Sequence, residues 1–129
     1  MRRIEAGASR SANALNVSYV VEGDVAQLRI PPPRARRIAE RLWQHTCCEI
    51  FIARRGLPAY HEFNLAPSGE WAAYGFERYR EGAALSDAAM NPEIRVQHDA
   101  GRLGLDATIR LDRLELAQSA LSAALCAVI

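Results

Sequence analysis

Glu49, Glu62, Asn64 and Arg80 stand among apolar and aromatic neighbours in a stretch that runs from Leu42 to Arg80. A polar group buried and left unpaired costs about 1–3 kcal/mol, so such groups must be paired or must serve a ligand. Two chemistries are open. Gathered on one sheet face, the four groups would converge as hydrogen-bonding partners for hydroxyls or for an anion. Alternatively, Arg80 forks onto one carboxylate and the set is a buried ion-pair network. The same stretch holds Trp43, Trp71, Tyr74 and Tyr79. These rings could stack on the C–H face of a sugar, or fill a core, where aromatics supply most of the buried area. Trp43 is the strongest candidate for a platform, because it follows a polar connection at the entrance of a strand.

Other chemistries find less support. Two carboxylates suggest a glycosidase pair, but nothing in the spacing of Glu49 and Glu62 favours one. His45, Cys47, Cys48 and His61 are potential metal ligands. Adjacent cysteines in a strand point to opposite faces, however, and zinc sites space their paired ligands two to four residues apart. A haem would need an axial pair; Met90 and His98 are available but lie in a loop and a strand without a matching context. Ser68 lies in Pro67-Ser-Gly69 and lacks the Gly-x-Ser-x-Gly frame of a nucleophile elbow, so it reads as a turn residue. No catalytic residue, metal or cofactor is expected.

The elements that must position these groups are strands. Leu15 to Glu22 is rich in β-branched and aromatic residues, and Val25 to Ile30 alternates after Gly23-Asp24, which together read as a hairpin. Pro31-Pro-Pro33 stops the second strand. Arg34 to Leu42 is a basic connection. Thr46 to Arg54 is a strand with Cys47, Glu49 and Phe51 on one face and Cys48, Ile50 and Ile52 on the other. Tyr60 to Leu65 puts Tyr60, Glu62 and Asn64 on one face. Pro67-Ser-Gly69 turns the chain into a strand from Glu70 to Arg80. Glu81 to Pro92 reads as a loop, Glu93 to His98 as a short strand. Leu103 to Leu111 alternates apolar and polar residues without a break, as a half-buried strand does. Leu114 to Ile129 favours helix by its alanines and leucines yet follows a run of hairpins. Residues 1–14 are expected to fray, leaving one domain over 15–129.

Composition narrows the partners. The net charge is +1, so no basic field suggests nucleic acid. All sixteen basic residues are arginines, which excludes a lysine Schiff base. No apolar run approaches a membrane span. Ile4 to Leu15 is too polar for the apolar core of a signal peptide, and three cysteines, two of them adjacent, read as reduced thiols. A cytoplasmic location is the expectation.

Short strands with turns at regular spacing predict an all-β fold, an antiparallel β-sandwich or barrel. The motifs add a resemblance. Leu42-Trp-Gln-His-Thr-Cys-Cys-Glu-Ile-Phe-Ile52, Tyr60-His-Glu-Phe-Asn-Leu-Ala-Pro-Ser-Gly-Glu-Trp-Ala-Ala-Tyr74 and Phe76-Glu-Arg-Tyr-Arg-Glu-Gly82 look like the bacterial DOMON-like proteins, themselves similar to family 9 carbohydrate-binding modules. The likeness runs from about Leu15 to Ile129. It implies a jelly-roll-like β-sandwich that binds a ligand, a sugar or haem in the wider superfamily, and does no catalysis. It also implies that Leu121 to Ile129 is a strand within the family fold, so the sandwich is expected to be incomplete at its C-terminus and to self-associate through that strand. The calcium loops of sugar-binding relatives have no acidic counterpart here. The expected function is a binding module for a carbohydrate or related polyhydroxylated small molecule, held by Trp43, Glu49, Glu62, Asn64, Trp71, Tyr79 and Arg80. The alternatives are an interaction domain without a small ligand and, further off, a haem module.

Overall fold

Ten strands form two sheets that pack face to face in this computed structural model, which describes residues 3–27, 37–39, 42, 46–78, 81–85, 92–114, 116 and 119–128. The strands are β1 (Arg3–Ser11), β2 (Ala14–Glu22), β3 (Arg37–Ile38), β4 (Cys47–Arg54), β5 (Tyr60–Leu65), β6 (Glu70–Arg78), β7 (Glu81–Leu85), β8 (Glu93–His98), β9 (Arg102–Arg110) and β10 (Leu121–Val128). One sheet has the order β1-β2-β9-β8. The other has the order β10-β4-β5-β6-β3, with β7 also paired to β6. Among the described residues every pairing is antiparallel except the short β3–β6 contact, which is parallel.

The core lies between the sheets because alternation on both inner faces is apolar. Leu15, Val17 and Tyr19 of β2 and Leu105, Ala107 and Ile109 of β9 meet Ile50, Ile52, Phe63, Leu65, Trp71 and Ala73 of the larger sheet. The phenol of Tyr19 crosses the gap and donates to the backbone carbonyl of Glu49 at 2.7 Å. A hydrogen bond satisfies that buried hydroxyl and ties β2 to β4. The fold is therefore an all-β sandwich. No helix among the described residues is long and apolar enough to cross a membrane.

Several expectations change. Residues 3–11 do not fray: β1 pairs with β2 through nine residues. All nine are exposed, so β1 is held by its backbone ladder and carries no burial pattern to be read. The expected hairpin of Leu15–Glu22 with Val25–Ile30 is absent. β2 pairs with β1 and β9 instead, and Val25–Gln27 is a 3-10 turn; residues 28–30 lie outside the described set. Within the connection expected over Arg34–Leu42, Arg37–Ile38 pairs with Glu70–Trp71. The loop expected over Glu81–Pro92 begins with β7. Leu121–Val128 is a strand, in line with the resemblance and against helix propensity. Eight paired residues on β4 outweigh a preference worth a few tenths of a kcal/mol per residue. The Pro67-Ser-Gly69 turn forms as read. Gly69 takes a φ of 93°, and Ser68 is buried, its hydroxyl accepting from the Glu70 N–H at 3.2 Å and donating to the Glu70 carboxylate at 2.9 Å.

Candidate functional site

The two outer faces of the sandwich differ in chemistry. On the four-stranded sheet, Asn16, Ser18, Gln97, Asp106 and Thr108 make an ordinary polar surface, with Thr108 bonded to Asn16 at 3.0 Å. The outer face of the larger sheet is aromatic and acidic. Its inner positions are Cys48, Ile50, Ile52, Phe63, Leu65, Trp71 and Ala73, so alternation sends Cys47, Glu49, Phe51, Tyr60, Glu62, Asn64, Ala72, Tyr74 and Phe76 outward.

The register sets these side chains in rows across the strands. One row runs Ala124–Phe51–Glu62–Tyr74, the next Cys126–Glu49–Asn64–Ala72, and on the other side Ser122–Ala53–Tyr60–Phe76. Tyr60 stacks on Phe76 with ring centroids 4.6 Å apart and planes 12° from parallel. Phe51 lies 6.3 Å from Tyr60, and Tyr74 lies 6.3 Å from Phe76, both tilted. Four half-buried rings thus form a strip over β4, β5 and β6. Beside it a cleft of about 470 Å³ is floored by Phe51, Ala53 and Tyr60 and walled by Pro58 and Ser122–Ala124.

The acidic end is Glu49, Glu62 and Asn64. Glu49 and Glu62 are half-buried. Burial and the charge of Glu49 hold the Glu62 carboxyl above the usual carboxylate range, while the nearby Asn64 amide favours its ionised form. Asn64 is fully buried, and neither its Oδ1 nor its Nδ2 reaches a hydrogen bond of normal geometry. The Cys47 thiol is pushed up to about 12, chiefly by burial and then by Glu49 and Glu62. At this end Leu42 and Ala39 join Cys47, Ala66, Ala72 and Tyr74 in a second apolar cluster.

Of the seven residues expected to hold a ligand, the structure brings Glu49, Glu62 and Asn64 together. Glu49 and Glu62 stay partly open, which the alternative of a buried ion-pair network did not foresee. Trp71 is a correction of another kind: it is 1% exposed and belongs to the core between the sheets. It pairs with Leu65, an inner-face residue, and a residue directly opposite shares its partner's face. Trp43, Tyr79 and Arg80 lie outside the described residues, as do His45 and Met90. His98 is exposed at the end of β8, in the other sheet. Cys47 and Cys48 are buried on opposite faces, and no group of three His, Cys, Asp or Glu side chains that could hold a metal occurs among the described residues. The sequence reading missed Phe51, Tyr60 and Phe76. The signal was present in the alternation, which already set Phe51 with Glu49 and Tyr60 with Glu62.

No protein-family model matches the sequence, and no curated protein matches it. Among solved structures, the chain is similar to a provisionally assigned carbohydrate-binding protein from Bacteroides uniformis, known from a crystal structure. The TM-score is 0.65 at 14% identity, with 84% of this chain covered and 52% of that one. The likeness shows the fold. This chain spans about half the length of that neighbour.

A pH-dependent stability follows from Glu62. Its folded-state carboxyl binds a proton more readily than in the unfolded chain, so the ionised form weighs against the fold and protonation relieves it. Its contribution is therefore most favourable below the ordinary glutamate range near pH 4.3 and is lost as pH rises through the raised value. Glu62→Gln is expected to melt higher than the wild type at pH 7, with the difference vanishing at pH 4. His61, whose half-buried ring is held below the usual histidine range by burial and by Arg54, is present in both proteins and cancels. Equal melting at pH 7 would show that Glu62 carries no desolvation cost.

Proposed function

We propose that the protein is a non-catalytic binding module that takes a carbohydrate or related polyhydroxylated small molecule on the outer face of the six-stranded sheet. The observation that carries this reading is the strip of Phe51, Tyr60, Phe76 and Tyr74 lying next to Glu49, Glu62 and Asn64 on one face. Sugar sites combine an apolar platform for the C–H face of the ring with a few oriented polar groups for its hydroxyls. The resemblance to DOMON-like proteins and family 9 modules supports the same reading, as does the provisional assignment of the structural neighbour. The Asn64 amide, buried on this face against Glu62 without a hydrogen bond of normal geometry, supports the same reading.

Chemical-shift titration with mono- and oligosaccharides tests the proposal. Shifts are expected at Phe51, Tyr60, Glu62 and Tyr74, and Tyr60→Ala is expected to weaken binding by at least about tenfold, as removal of a central aromatic does. Shifts confined to the four-stranded sheet, around Leu103 to Leu111, would reject it. Association belongs to the same proposal. Among the described residues β10 pairs only with β4, and an edge strand is a template for a second chain. Sedimentation is expected to show dimers that grow with concentration; a monomer at every concentration would reject that part.

A further inference from the structure

Glu62 stands at the centre of the aromatic face. Its cross-strand neighbours are Phe51 on β4 and Tyr74 on β6, and its neighbours along β5 are Tyr60 and Asn64. Side chains directly opposite one another in a sheet keep their Cβ atoms roughly 4.5–5.5 Å apart. The carboxylate is thus framed by three rings and one amide. Glu49, which pairs with Asn64, is its diagonal neighbour at roughly 7–8 Å. Two acids this close repel, and a half-buried carboxylate is costly without a compensating cation. The ion pairs among the described residues, Arg3–Glu5, Arg95–Glu93 and Arg110–Asp112, are all on exposed side chains elsewhere. A second and independent sign is Asn64. Its side chain is fully buried, lies against the Glu62 carboxylate, and has no hydrogen bond of normal geometry at either amide atom.

We propose that this face selects a cationic ligand, an ammonium group seated over Glu62 between Phe51 and Tyr74, so that among carbohydrates it takes sugars with a free amino group. The inference rests on the carbohydrate reading of the same face. An ammonium has three N–H donors, which match the carboxylate oxygens of Glu62 and Glu49, while the enclosed Asn64 amide lies against Glu62 behind them. Its charge offsets the mutual repulsion of the two acids, and the negative faces of the surrounding rings attract it. A neutral hydroxyl does neither. A calcium ion asks for six to eight oxygens, whereas here two carboxylates stand among aromatic rings.

Three oligosaccharides of equal length and the same β-1,4 backbone isolate the charge: the glucosamine oligomer, the N-acetylglucosamine oligomer and the cello-oligomer. They differ only in an ammonium, an acetamide or a hydroxyl at the second carbon. Calorimetric titration of the full chain at pH 6 is expected to rank the ammonium form at least roughly tenfold tighter than the other two. In Glu62→Gln and in Glu49→Gln, each checked for an unchanged fold by its amide spectrum, the ratio is expected to fall toward one. Neutral oligomers that bind this face as tightly as the ammonium form would overturn the inference and leave the carbohydrate reading standing. Binding of none of the three would overturn both. A preference that survives both substitutions would place the charge recognition elsewhere and overturn the inference. Calcium titrated alone, binding at this face and abolished by Glu62→Gln, would assign the acids to a metal and overturn it too.

Discussion

Trp71→Ala is expected to lower the unfolding free energy by about 3–5 kcal/mol, the usual cost of emptying a large aromatic site in a core. Trp71 is the largest of the fully buried side chains among the described residues and packs in the main cluster with residues of both sheets. It stands on β6 opposite Leu65, two residues before Ala73, which faces the same core. Its removal therefore opens a large cavity in the inter-sheet layer. The indole also carries a cost of its own, because Nε1–H is buried with no hydrogen-bond partner. Trp71→Phe discards that donor while keeping a ring, and is expected to lose much less. Chemical denaturation of the three proteins measures both differences. A loss below about 1 kcal/mol for Trp71→Ala, together with weakened sugar binding by Trp71→Phe, would return Trp71 to the ligand face.

Asn64→Leu is expected to act in the opposite direction on stability and to remove ligand binding. Exchanging a buried amide that lacks partners for an apolar side chain of similar size removes a desolvation cost of about 1–3 kcal/mol. Asn64 meets that condition, fully buried with both amide atoms unmatched. Its neighbours on the outer face include Ala72 and Cys47, which are apolar and can accept a leucine. Stabilisation at the expense of function is the usual mark of a residue kept for binding. A thermal melt is expected to rise, while the sugar-induced shifts at Glu62 and Tyr60 disappear. If the melt falls instead, the amide serves the architecture, and the ligand reading of Asn64 is wrong.

Much of the fold was legible residue by residue. The strict alternation from Leu103 to Leu111 gave β9 to within a residue, because one of its faces is buried and the other is wet. Cys47–Arg54 and Tyr60–Leu65 were legible from their β-branched and aromatic content and from the turns that bound them. β1, β7 and β10 were not. β1 buries none of its residues, β10 is rich in helix-favouring alanine, and β7 is short. β1 and β7 are held by ladders to the adjacent β2 and β6, and β10 by a ladder to the remote β4, and a backbone ladder leaves no trace in side-chain types.

The candidate site divides along the same line. By itself the sequence determined that the chain is all-β and which residues of each strand share a face, since the side-chain period of a strand is two. It therefore already joined Glu49 to Phe51, and Glu62 and Asn64 to Tyr60. It did not decide which face of β4, β5 and β6 turns inward. Both faces of these strands carry large apolar groups, with Ile50, Ile52, Phe63 and Trp71 on one side and Phe51, Tyr60, Tyr74 and Phe76 on the other. Only the packing of β2 and β9 against the first set made it the core and left the second half-open beside the two acids. Burial is a property of what lies across from a face, and that partner comes from strands remote in the chain. This is why Trp71 reads as a ligand platform in sequence and stands in the core of the folded protein.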